Sequence, residues 1–259
     1  MADPMHQFEI QVLKKLDLTI PGLGTIDLSI TNSVVAMALA ATLIIAFFAL
    51  ATARVSVVPG RTQVIGETIF GFIDDLAVSI IGPEGRRFFP FVFTLFVFIL
   101  AMNFLGLFLI FTATSQLAVT ATFAILTILL VIIVGLAKNG LGFFKLFLPS
   151  GVPWYLWWLV VPIEVISFLL RPVTLSLRLF GNMLGGHVAL KVFAGFVVSL
   201  SALAAGGGLG LFGIPGALLA MSGVVALTAL EFLVAFLQAF VFAVLACVYL
   251  NDAVHAGHH

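Results

Sequence analysis

The sequence predicts an all-α polytopic membrane protein: five membrane-crossing helices plus an interfacial amphipathic helix, the last two crossing helices long, strongly tilted and paired in a hairpin. Three observations carry this. Of 259 residues, 63% are hydrophobic and 8% charged, against about 25% charged in a globular domain. The apolar residues come in unbroken runs of about 20 or more, the length that crosses a roughly 30 Å hydrocarbon core as a helix, whereas barrel strands would alternate every second residue. The formal net charge is zero, which gives no sign of nucleic-acid binding. The single Cys247 cannot form an intrachain disulfide and reads as a small core residue.

The whole chain, 1–259, reads as one membrane domain. Residues 1–30 carry Asp3, Glu9, Lys14, Lys15, Asp17 and Asp27 with no continuous apolar core. They are expected to form an outer surface segment, neither a cleavable signal peptide nor a span. Thr31, Asn32 and Ser33 offer N-caps to a first span over 34–54. Over 62–82, Val64, Ile65, Ile69, Phe72, Ile73 and Leu76 alternate at helical spacing with Glu67, Asp74 and Asp75, the pattern of a helix lying in the interface. A helical hairpin follows over 88–137, its two spans joined by the short, uncharged TATSQ. The stretch GFFKLFLPSGVPWYLWW is too interrupted to cross, and its Trp154, Tyr155, Trp157 and Trp158 suit an interfacial belt. Long helices over 153–203 and 215–251 come last, joined by a turn at Gly206, Gly207 and Gly208. Each is too long to stand upright in a bilayer, which implies tilt or bending.

Basic residues fix the orientation. Arg54, Arg61, Arg86, Arg87, Lys138 and Lys145 fall on one side, and the turns at 112–116 and 204–215 carry none. The positive-inside rule then places the N-terminus outside and the C-terminus in the cytoplasm.

The chain is organised around EVISFLLRPVTLSLRLFGNMLGGHVALK, residues 164–191, an apolar tract that nevertheless holds Glu164, Arg171, Arg178, Asn182, His187 and Lys191. An ionised side chain at the bilayer centre costs roughly 2.5–3.5 kcal/mol on insertion scales, so this tract should face protein or water. Glu164, Arg171, Arg178 and Gly185 recur every seven residues and share a stripe, with Asn182 one turn past Arg178. Gly181, Gly185 and Gly186 allow another helix to approach. Pro172 should start a new helical segment or kink a continuing one. His187 lies about 13 Å farther along the axis than Arg178 and on roughly the opposite side, so the two serve different compartments.

In a hairpin of the last two helices, Glu231 and His187 lie at comparable depth, and a carboxylate and an imidazole can relay protons. Gln238, seven residues after Glu231, and Asn182 extend the polar lining. Arg178 cannot relay, because a guanidinium effectively never releases its proton. It is a fixed charge that favours the ionised form of a nearby carboxylate and repels a positive carrier. The chain offers it no obvious carboxylate, which points to a partner.

RPVTLSLRLFGNMLGGH, at 171–187, resembles the signature of the a subunit of F-type ATP synthases, the membrane stator beside the rotating c-ring. The likeness extends to FPFVFTLFVFILAMNFLGL at 89–107, VPIEVISFLLRP at 161–172 and EFLVAFLQAFVFAVLACVYL at 231–250. It implies that Arg178 is the essential charge facing the c-ring, Asn182 the following amide and Gln238 the final-helix glutamine facing the arginine. Some bacterial members carry Glu on the fifth helix and His on the sixth; here the pair is exchanged, as His187 and Glu231. Glu164 matches a carboxylate of the inner half-channel, Asn103 a polar position of the outer one, and Gly106 stands where some members have an acid.

The resemblance further implies proton flow through two offset half-channels to and from c-ring carboxylates, with Arg178 preventing a short circuit. The partners implied are the c-ring, b or b/b' peripheral-stalk subunits and the remaining ATP synthase subunits, in a bacterial inner membrane or, as the alternative, a mitochondrial one. The subunit would be a proton channel and not itself an enzyme. No cofactor or metal is expected, and His255, His258 and His259 read as a tail.

Duller readings stand beside these. Lys191 snorkels to the outer interface; Arg171 either neutralises Glu164 or serves proton exit; Asn103 is helix-packing glue. A secondary transporter would need a second copy of the 164–191 pattern, which the sequence lacks. A passive assembly subunit would not need the polar stripe.

Overall fold

A computed structural model describes residues 11–15, 17–20, 24–27, 29–53, 56, 58–108, 112–148, 153–206 and 213–256. The expectations for Asp3, Glu9, Arg54, Gly207, Gly208, His258 and His259 lie outside these residues. The helices are α1 Asn32–Thr52, α2 Arg61–Ile81, α3 Gly85–Phe108, α4 Leu117–Asn139, α5 Trp157–Ala205 and α6 Gly213–His255. Among the described residues, five of them, all but α2, are long and apolar enough to cross a membrane. The protein is an all-α polytopic membrane protein.

One feature was not read from the sequence. The segment before α1 carries two small antiparallel ribbons, β1 Val12–Lys14 with β4 Ile30–Thr31 and β2 Asp17–Ile20 with β3 Gly24–Asp27. Runs of two to four residues are too short for an alternating pattern to stand out. Of the two outcomes expected at Pro172, the helix continues: α5 runs through both Pro162 and Pro172. The Thr174 hydroxyl donates to the carbonyls of Leu170 and Arg171 at 3.1 and 3.0 Å, tying together the turn around the proline.

The contacts divide the chain into two units. The first comprises Met1–Leu39, Met102–Gln116 and Leu179–Leu237. Here α5 and α6 run antiparallel, and glycines set their approach: Gly186 faces Glu231, Gly223 faces Phe193, and Gly216 faces Leu200. The steps of seven on α5 (186, 193, 200) match steps of seven and eight on α6 (216, 223, 231). That is the spacing of helices crossing at a shallow angle.

The second unit comprises Ala40–Ala101, Leu117–Arg178 and Gln238–His259. Its core is built on one-sided faces: Ile73, Ala77 and Ile81 of α2, Val92, Phe96 and Ile99 of α3, and Ala239, Phe242, Ala243, Ala246 and Leu250 of α6. Cys247 is buried among them. Polar contacts gather at one end. Lys138 at the end of α4 hydrogen-bonds Glu84 in the α2–α3 turn, and that bond holds the Glu84 carboxyl below its ordinary range. Asn139 Nδ2 donates to the Ala253 carbonyl at 2.6 Å, bringing the last turn of α6 to the same end. Trp154, Tyr155, Trp157 and Trp158 are all exposed.

Gly85 opens α3 where it turns back on α2, and an added Cβ would strike the backbone carbonyl of Ala77, which cannot step aside. Gly85→Ala should therefore destabilise the detergent-solubilised protein by about 1–3 kcal/mol in thermal unfolding. Gly71→Ala, where nothing lies within 4 Å, should be neutral or gain up to about 1 kcal/mol through helix propensity.

Candidate functional site

The first unit holds a buried polar cluster. Glu231 projects from α6 over Gly186, the one residue type that leaves room for its carboxylate. His187, next along α5, brings Nδ1 to 3.9 Å from Glu231 Oε2, and each side chain is 11% exposed. Neither Glu231 oxygen has a hydrogen-bond partner among the described residues, so the imidazole is the neighbour with which this carboxyl can share a proton. At 3.9 Å the two are beyond direct hydrogen bonding, and transfer needs a small closing movement or a bridging water.

The other face of His187 is held by a residue that sequence reasoning did not single out. Its Nε2 lies 2.9 Å from Thr112 Oγ1, and the Thr112 hydroxyl donates to the Gly106 carbonyl at 3.3 Å. An added Cβ on Gly106 would collide with Thr112. Thr112, Thr114 and Ser115 are all buried, so the TATSQ turn is a polar plug and not a surface connection. The run of hydroxyls was the available signal. Asn103, also buried, donates from Nδ2 to the Ala235 carbonyl at 3.1 Å, tying α3 to α6. Its Oδ1 has no hydrogen-bond partner among the described residues, so it acts as packing glue while leaving a free acceptor inside the bundle.

Arg178 belongs to the second unit and is exposed; among the described residues no carboxylate lies within ion-pair distance of it. The Tyr249 hydroxyl lies within its electrostatic reach. Asn182 is exposed, and Cβ atoms at Gly181 and Gly185 would meet nothing within 4 Å. Of the three glycines expected to admit a helix, only Gly186 does so among the described residues. Gln238 is buried in α6, and Glu164 is half-buried on α5.

Arg171 does not neutralise Glu164. Its Nη1 lies 3.1 Å from Asp252 Oδ2, and its guanidinium sits over the rings of Phe168 and Tyr249, 5.4 and 4.8 Å from their centroids. Seven residues along one helix separate two side chains by about 10 Å, whereas helix pairing brings the end of α6 alongside. Asp252 could have been noticed as an acid closing an apolar run.

Residues 34–251 match the family described as ATP synthase A chain. The chain belongs to the ATP synthase A chain family. It is 55% identical over 258 residues to ATP synthase subunit a of Hyphomonas neptunium, covering 99% of this chain and 98% of the relative. The corresponding protein of Mesorhizobium japonicum is 52% identical over 99% of this chain and 98% of its own. That of Rhizobium johnstonii is 51% identical over 100% and 99%. With its apolar helices and bacterial relatives, this member of the ATP synthase A chain family is a bacterial membrane protein.

Asp252→Asn leaves the Arg171 guanidinium short of its counter-charge in a half-buried place, and should destabilise by about 1–2 kcal/mol in thermal unfolding. Glu164→Gln, at a residue with no ion pair among the described residues, should cost less than about 0.5 kcal/mol.

Proposed function

We propose that this chain is the proton-translocating stator subunit of an F-type ATP synthase, working through two offset half-channels that meet at a rotating c-ring. One observation carries the reading. Arg178 is an exposed cation, without a carboxylate partner among the described residues, on a helix face that Gly181 and Gly185 leave open. A permanent charge on such a face calls for an acidic partner that arrives from another subunit.

Protons reach the ring from outside past His187, Glu231, Asn103 and Gln238. There they neutralise a ring carboxylate, which can then travel through lipid. After nearly a full turn the carboxylate meets Arg178, whose charge favours its ionised form and releases the proton toward the cytoplasm past Asn182 and Glu164. The guanidinium never takes that proton, and it repels any cation passing directly between the inlets. Each proton crossing 100 mV delivers about 2.3 kcal/mol, so a leak would dissipate the driving force.

The ATP chemistry belongs to other subunits, and the c-ring and a b or b/b' peripheral stalk are the partners beside this one. The gathering of Lys138, Arg86 and the end of α6 at one end of the second unit supports a cytoplasmic C-terminus in the bacterial inner membrane.

In vesicles bearing the whole complex, Arg178→Ala should abolish ATP-driven proton pumping and raise passive proton leak; normal pumping would end the proposal. His187 and Glu231 should couple in proton flux: the double variant His187→Gln, Glu231→Gln should lose less than the product of the single losses, by roughly fivefold or more. Strictly multiplicative losses would show that the pair does not act as a unit.

A further inference from the structure

The cluster around Glu231 leaves the tautomer of His187 to be decided by its other ring nitrogen. We propose that Thr112 is a positioning residue: it takes the Nε2–H of His187 and so keeps the lone pair of Nδ1 pointed at Glu231. This rests on the proton-relay reading of His187 and Glu231 given above.

The assignment follows from counting hydrogens. Gly106 lies in the last turn of α3, Gly85–Phe108, where carbonyls have no donor left within the helix. The Thr112 hydroxyl supplies one, at 3.3 Å. A carbonyl can only accept, so the single hydroxyl hydrogen goes to Gly106. His187 Nε2, at 2.9 Å from the same oxygen, must then be the donor. In the neutral ring that leaves Nδ1 without a hydrogen, facing Glu231 Oε2 at 3.9 Å.

The opposite tautomer would place an N–H toward the carboxyl and force the Thr112 hydroxyl to abandon the buried Gly106 carbonyl. Leaving a buried acceptor unsatisfied disfavours that arrangement. Thr112 is itself 3% exposed, so bulk water is poorly placed to take over either bond. Gly106 completes the device, because any side chain there would occupy the place of Thr112.

The consequence concerns which ring atom exchanges the proton. A protonated Glu231 hands its proton to Nδ1, giving carboxylate and imidazolium; the reverse step restores carboxylic acid and neutral imidazole. The Nε2 proton stays in its bond to Thr112 throughout. Exchange between these two residues therefore runs through the nitrogen that faces the carboxyl.

The test is ¹⁵N-histidine solid-state NMR on the complete ATP synthase in liposomes, recorded alkaline enough for neutral imidazoles, with the His187 signal assigned by its loss in His187→Gln. The neutral ring should carry hydrogen on Nε2, and a wild-type ring carrying it on Nδ1 would overturn the proposal. Thr112→Val keeps the shape without the hydroxyl; it should mix the tautomers and slow proton flux on the order of tenfold, while Thr112→Ser restores both. A Thr112→Val complex with an unchanged tautomer would also overturn it, and the wild-type spectrum decides the matter should that variant fail to assemble. If the tautomer behaves as expected but His187→Gln leaves proton flux intact, the positioning stands and the relay reading fails.

Discussion

A guanidinium cannot shed its charge, so a helix carrying Arg178 through an apolar tract must give that charge something to face. No described residue of the chain supplies a carboxylate within ion-pair distance. Arg171, seven residues earlier, has Asp252 and two aromatic rings, whereas Arg178 stands exposed on a face with open space at Gly181 and Gly185. Two arginines on one helix thus serve opposite ends. Arg171 is internally neutralised and fastens α5 to α6; Arg178 has no carboxylate within ion-pair distance among the described residues, and the proposed function gives it one on another subunit.

The buried polar groups follow a different logic. Glu231, His187, Asn103 and Thr112 are costly in an apolar bundle unless they are partnered, and most of what they find is one another or a backbone carbonyl. The glycines do as much here as the polar residues. Gly186 makes room for a carboxylate and Gly106 for a threonine. Both cavities are made by the absence of a side chain, and each holds a group that can donate or accept a proton.

Much of the fold was legible because crossing a membrane forces long apolar runs, and interruptions by charge mark their ends. The number of helices long and apolar enough to cross, and the presence of a separate helix α2 between the first two of them, follow from that alone. Contacts across large sequence separations were not legible. Thr112 meets His187 across 75 positions and Asp252 meets Arg171 across 81; nothing in local periodicity links them. The i, i+7 stripe correctly drew attention to Glu164, Arg171 and Arg178, but proximity in sequence suggested an internal ion pair where the fold provides a neighbour from α6. The ribbons before α1 escaped because their strands are shorter than any pattern that alternation can establish.

Under the proposed function, hydrogen ions cross this subunit only by way of a neighbouring ring, turned back from any direct route by Arg178. A density map of the intact complex, resolved well enough to place side chains and water, tests it most directly. The Arg178 guanidinium should lie against the ring, opposite its carboxylates, with two separate aqueous wedges ending on either side of it. A guanidinium turned to lipid, or one continuous column of water running past it from face to face, would contradict the account.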